Sequence, residues 1–180
     1  MPDVAASQST LIAQFASTRL GQSVGDGECF ALADQALRNI SVKSASDFGT
    51  ISTNADYIWG REVPLSQAQV GDVIQFRNFS YSETTRTDIT RADGSSEWSE
   101  QNQSESRPHH TAIVASIGAS GELMVYEQNV GGQRIVLHNR LLFSAVTIGP
   151  TSTTNNGVTT SITRTITVSG SAKFYRAQTR

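Results

Sequence analysis

The chain has a single cysteine, Cys29, within the stretch GQSVGDGECFALADQAL that runs from Gly21 to Leu37. Most free cysteines are small buried hydrophobes, and that reading applies here as a first alternative. The position supports a second one. Gly25 and Gly27 let the backbone turn sharply into a helix that begins near residue 29, so the thiol falls in the first helical turn. Unpaired N–H groups and the positive end of the helix dipole favour a thiolate there, and a thiolate is the attacking species in acyl transfer.

A thiol nucleophile needs a base, and the chain has three histidines. In RPHHTAIVAS the sequence enters a strand, where successive side chains point to opposite faces, so only one of His109 and His110 can face Cys29. His109, at the mouth of the strand, is expected to be exposed. His138, in VLHNR, has no polar cluster around it and reads as a surface residue. The next strand ends in YEQN, where a period of two places Glu127 and Asn129 on one face and Gln128 on the other. A carboxylate and an amide beside a histidine can fix the imidazole tautomer and support its charged form.

Other chemistries fit less well. GQSVG, Gly21 to Gly25, matches the G-x-S-x-G elbow of a serine nucleophile, but that motif needs a strand before it, and a helical stretch precedes Ser23. No H-x-x-x-H or C-x-x-C spacing occurs, and adjacent histidines on a strand diverge, so neither a metal nor a cofactor is expected.

The elements that must position these residues come helices first, strands afterwards. In STLIAQFASTRLG, Leu11, Ile12, Phe15, Ala16 and Leu20 recur at helical spacing, with Ser9 or Thr10 as cap and Gly21 as stop. A second helix is predicted from about Cys29 to Asn39, its core stripe formed by Phe30, Ala33 and Leu37 with Leu32 and Ala36. DYIWGREVPLSQAQ reads as a short helical or irregular link into the turn Val70-Gly71-Asp72. Strand-like runs follow: DVIQFR, TAIVASI, LMVYEQN, RIVLHNRLLF and AKFYR. Helices segregated ahead of an antiparallel sheet argue for an α+β fold.

Two polar stretches interrupt this sheet, at about 78–107 and 144–169. The first centres on Asp93-Gly94 and the second on Asn156-Gly157, both hairpin turn signals. Threonine-rich alternation favours β-ribbons that could pair with each other and cover their edges. The alternative is polar, low-complexity loop. Tyr81 and Trp98, set in polar surroundings, would suit an interaction surface.

At 180 residues, 37% hydrophobic and 17% charged, the chain is expected to form one domain, 1–180, with a buried core. A net charge of −2 gives no reason to expect nucleic acid or an anionic membrane as partner. MPDVAASQSTLIAQFAS lacks the positive start and apolar run of a secretory signal, so the chain is expected to be cytoplasmic as synthesised. If it acts outside the cell, a secretion apparatus or lysis would have to deliver it.

In order and spacing, GDGECFALADQAL, VGDVIQF, HHTAIV and YEQN resemble the papain-like cysteine amidohydrolases and peptidases of the CHAP and NlpC/P60 group. GDGEC is also similar to the cysteine-proteinase-like domain of fungal cortical actin-patch proteins. The resemblance covers roughly Gly21 to Asn129. Val70 replaces the usual Pro of the turn, and the two ribbons lie outside the usual compact domain. The resemblance implies a papain-like, NlpC/P60-type fold. It also implies Cys29 as nucleophile, His110 as general base, and Glu127 with Asn129 as the pair that orients the ring. Gln22, upstream of the thiol, is the oxyanion candidate by the same analogy. The implied activity is hydrolysis of an amide through a thioester, on a peptide, muropeptide or protein substrate. A catalytically silent module that binds a protein or peptide through its ribbons is the alternative.

Overall fold

A computed structural model describes residues 2–119 and 121–180. Among these, two α-helices, α1 (Ala6–Ser17) and α2 (Cys29–Asn39), precede seven strands: β1 (Arg61–Val63), β2 (Val73–Thr90), β3 (Ser96–Ile117), β4 (Glu122–Val130), β5 (Gln133–Leu142), β6 (Val146–Asn155) and β7 (Val158–Arg176). The strands form one antiparallel sheet in the order β1-β7-β2-β3-β4-β5, with β6 added along β7. The class is therefore α+β.

Helix α1 starts earlier than the Ser9/Thr10 cap expected from sequence. The Gln8 side chain accepts the Ala5 N–H at 3.2 Å, which supplies one of the bonds a helix start lacks, and Ser9 is left buried inside the first turns. Helix α2 buries Leu32, Ala33, Ala36 and Leu37.

Apolar side chains collect on both faces of the sheet. Against the helices lie Val73, Ile113, Val136 and Tyr175, with Trp59 fully buried among them. On the other face Ile74, Phe76, Ala112, Val114, Val125 and Leu141 meet Phe79, Tyr81 and Phe174. Phe143 closes this second cluster, its ring 5.2 Å from those of Phe79 and Phe174. Each large side chain buried this way contributes roughly 1.5–3 kcal/mol.

The polar stretches do not interrupt the sheet but extend it. β2, β3 and β7 run for 18, 22 and 19 residues, and β2 stays paired with β3 and β7 out to Thr90. The two hairpins thus merge into one ribbon, joined by hydroxyl pairs such as Ser80–Ser169 and Ser82–Thr167, both 2.8 Å. Trp98 lies on this ribbon with 61% of its surface exposed and Arg86 4.9 Å above its ring. Tyr81, expected on an interaction surface, is buried instead, its hydroxyl donating to the Arg140 carbonyl at 3.2 Å.

One irregularity accounts for Tyr81. Asn78 has φ +49°, and the β2–β7 register shifts between Arg77 and Ser80. Gly170, at φ +74°, lies so close that a Cβ there would fall 1.9 Å from the Asn78 carbonyl oxygen. Before the bulge the even residues Ile74 and Phe76 enter the second cluster. After it the odd residues Phe79 and Tyr81 do. Across the ladder, Pro108 of β3 sits opposite, between His109 (paired with Arg77) and Arg107 (paired with Phe79).

Candidate active site

The loop before α2 brings the thiol to the mouth of a cleft. Gly25 and Gly27 take φ +61° and +83°, and a Cβ on Gly27 would lie 2.9 Å from that of Arg134. Gln128, fully buried, pins this loop: its Oε1 accepts the Val24 N–H at 2.8 Å, and its Nε2 donates to the Val24 and Glu28 carbonyls at 3.0 and 2.9 Å. Cys29 then opens α2, where the first N–H groups have no partner within the helix.

His110 comes from β3. Its backbone is held by Gln75, a buried side chain of β2 whose Nε2 donates to the His110 carbonyl at 3.2 Å and whose Oε1 accepts from Trp59 and Thr111. The His110 ring and Cys29 meet at one cavity, near enough that each shifts the other's ionisation, and the ring is otherwise almost enclosed. Glu127 of β4, opposite Ala112 in the ladder, puts Oε2 3.1 Å from His110 Nε2. That contact is close enough to pair charges but off the line of the N–H, so Nε2 has an ionic partner rather than a directed bond.

Glu127 is itself gripped. Arg107 Nε and Nη2 donate to its two oxygens at 2.8 and 2.6 Å, and Asn139 Nδ2 donates to Oε1 at 2.8 Å. Burial opposes the Glu127 charge most strongly, yet the Arg107 bonds and the His110 ring outweigh it and hold the carboxyl at about 2. Burial likewise pushes His110 down, but the Cys29 sulfur and Glu127 outweigh it and raise the ring to about 9. For Cys29 burial again opposes ionisation. The His110 ring, with the N–H groups of Thr111 and Phe30, lowers the thiol below its ordinary value in spite of it. Both shifts run in the direction that favours a thiolate beside an imidazolium.

Cys29 and His110 line a cavity of about 550 Å³ with Asp26, Glu28, Phe30, Ile51, Tyr57, His109 and Asn129. Three placements differ from the sequence expectation. Asn129 reaches the cavity but not the His110 ring: at φ +63°, in a bulge of the β4–β5 ladder, it donates to Glu28 Oε2 at 2.6 Å. The period of two fails there, so Glu127 and Asn129 act separately. Gln22 is exposed and does not line the cavity; its main chain pairs with Arg19 and Val136. His109 is not simply exposed, since it also lines the cavity and its Nε2 lies 2.8 Å from the Ala55 carbonyl. The wall it meets, from Ile51 to Tyr57, lies mostly ahead of the stretch that read as a link, which begins only at Asp56. Arg107, Gln128, Gln75, Asn139 and Tyr57 were missed, because no spacing rule ties them to the thiol.

A family model described as the AIM3/BBC1 cysteine proteinase-fold domain matches residues 1–149. That span holds Cys29, Arg107, His110 and Glu127. Among curated proteins, Altered inheritance of mitochondria protein 3 of Debaryomyces hansenii is 23% identical over 154 residues, which cover 77% of this chain and 15% of that protein. The chain thus spans a small part of that relative's length. No solved structure matches the chain.

Proposed function

This chain belongs to the AIM3/BBC1 cysteine proteinase-fold domain family, and from that premise we propose that it is a cysteine-dependent amidohydrolase or peptidase. The observation that carries the reading is that Cys29 and His110 line one open cavity, with Glu127 Oε2 3.1 Å from His110 Nε2 behind them. The Cys29 thiolate attacks the carbonyl carbon of an amide and forms a tetrahedral oxyanion. The Cys29 N–H, at the start of α2, faces that charge. Asn129, with one of its two amide protons committed to Glu28, is the side-chain donor in place of Gln22. The His110 imidazolium protonates the leaving nitrogen as the C–N bond breaks, leaving a thioester. Neutral His110 then takes a proton from water, which attacks the thioester, and the acid is released with the thiolate restored.

At about 550 Å³ the cavity falls within the range of ligand-binding clefts. Its apolar wall of Phe30 and Tyr57 and its acidic rim of Asp26 and Glu28 suit a peptidic substrate. Peptidoglycan peptides, cut as by the CHAP and NlpC/P60 group, are one member of that class; protein substrates are another. Incubation with purified muropeptides, beside a mixture of unmodified peptides, is expected to give a new amine and carboxylate pair by mass spectrometry in one arm. No product in either arm, with no Cys29 adduct to a peptidyl acyloxymethyl ketone, would overturn the proposal.

The alternative of a silent binding module draws on the ribbon, which keeps Trp98 exposed beyond the core. Because β2 and β7 are paired, shortening one hairpin would strip the other, so both must be cut at matching rows. Replacing residues 86–100 and 151–162 by short glycine-containing turns is expected to leave a folded protein whose Cys29 alkylation rate stays within about twofold of the original, since no group of the cleft lies beyond the cut. Partner capture lost while peptide turnover persists would assign binding to the ribbon and chemistry to the cleft. A shortened protein that does not fold would make the ribbon part of the core.

A further inference from the structure

Four ionisable groups follow one another inward from the cleft: Cys29 and His110 line it, and Glu127 and Arg107 lie buried behind them. Glu127 is fully buried, and Arg107 and His110 are nearly so. In the reactive state the first three carry charges of minus, plus and minus. An uncompensated charge at such a depth is relieved by protonating an anion. Arg107 meets Glu127 with two parallel bonds, which brings the sum to zero and lets all four stay ionised together.

The other ionisable neighbours are already engaged or do not reach the carboxylate. Glu28 is tied to Arg134 and Asn129, Asp26 stands at the rim, and Glu105 pairs with Arg107 from the ribbon side. His109 is bonded to the Ala55 carbonyl, and burial keeps Tyr57 protonated.

Resting on the reading of Cys29 as nucleophile, we propose that Arg107 is a positioning residue of this site, which balances the Glu127 charge so that the thiolate and the imidazolium coexist. It touches neither the sulfur nor the cavity and acts through Glu127. Its loss moves the thiol in one direction by either route. If Glu127 stays ionised, the thiolate faces a second, unbalanced anion. If Glu127 takes a proton, His110 loses the partner of its charged form. In both cases thiolate formation becomes harder.

The test follows the rate of Cys29 alkylation by iodoacetamide against pH, in variants whose folding is checked by thermal unfolding. Arg107→Met is expected to raise the midpoint by about one pH unit or more. The double variant Arg107→Met/Glu127→Gln removes both charges together, a change that buried pairs tolerate better than the loss of one partner. It is expected to fold even where the single variant does not. His110 lacks its carboxylate there as well, so the midpoint is expected to lie above wild type but no higher than that of a folded Arg107→Met protein. An unmoved midpoint in whichever variant folds overturns the proposal, as does a double variant whose midpoint stands above that of a folded single one. Failure of both variants to fold also overturns it, since the pair would then serve only structure. A wild-type midpoint at the free-thiol value of about 8.5 would instead remove the nucleophile reading itself.

Discussion

Replacing Cys29 by serine is expected to lower amide hydrolysis by roughly 10³-fold or more, the scale on which loss of a nucleophile acts when its partners remain. A hydroxyl in the same place is not ionised by a neighbouring imidazole at rest, so the attacking charge is gone. Packing changes little, because one sulfur is exchanged for oxygen at a half-buried helix start, and thermal unfolding should shift by only a few degrees. A second readout separates chemistry from structure. The Cys29 sulfur is the largest of the contacts that raise His110, so in the serine variant the ring should titrate well below the value of about 9 found with the thiol in place. Proton NMR of the imidazole would register it. Activity that survives the serine change would sink the thioester mechanism.

The two adjacent histidines should differ sharply. Loss of a general base costs on the order of 10²- to 10⁴-fold, which is expected for His110→Ala, whereas His109→Ala should cost less than about tenfold and act mainly on KM. His109 lines the cleft and bonds the Ala55 carbonyl, so it shapes a wall rather than moving a proton. The pH profile gives the sign. His110 is raised to about 9, so the imidazolium that protonates the leaving amine is lost as pH rises through that value, and acylation should fall there. The same linkage acts on the fold: the His110 contribution to stability is fully present below the unfolded value of about 6.5 and fades as pH climbs through about 9. Glu127, held at about 2, contributes above its unfolded value and loses its contribution as pH falls toward 2. Equal losses for the two histidine variants would mean that the face of β3 has been misassigned.

Much of this site was legible because it rests on short-range rules. A thiol after two glycines falls at a helix start, and the alternation of a strand separates His109 from His110. The same alternation put Glu127 on the face opposite to Gln128, which is the face that meets His110, but failed two residues later. Asn129 adopts a left-handed backbone that no period predicts. Arg107 was hidden for a related reason. Counted by twos it belongs with His109, and only the Asn78 bulge, with Pro108 facing it, turns Arg107 to the His110 side. Tyr81 moved from surface to core by that same device. Gln22 was chosen by analogy, and the loop that carries it instead pairs with Val136, away from the cleft.

The place of β7 bears on how the molecule is made. It is the last strand in sequence, yet it lies between β1 and β2, pairing Arg176 with Arg61 and Tyr175 with Val73. While a ribosome is still extending the chain, β2 therefore waits with one long edge open. Pairings between residues so far apart form slowly, and an open edge is a template for aggregation. Apart from Ile89, the outer half of that edge is written in Ser, Thr, Glu, Arg and Asp, side chains that keep a waiting strand in water and give a stray apolar strand little to grip. The polarity of the ribbon thus has a use during synthesis, before the cleft has any substrate to meet.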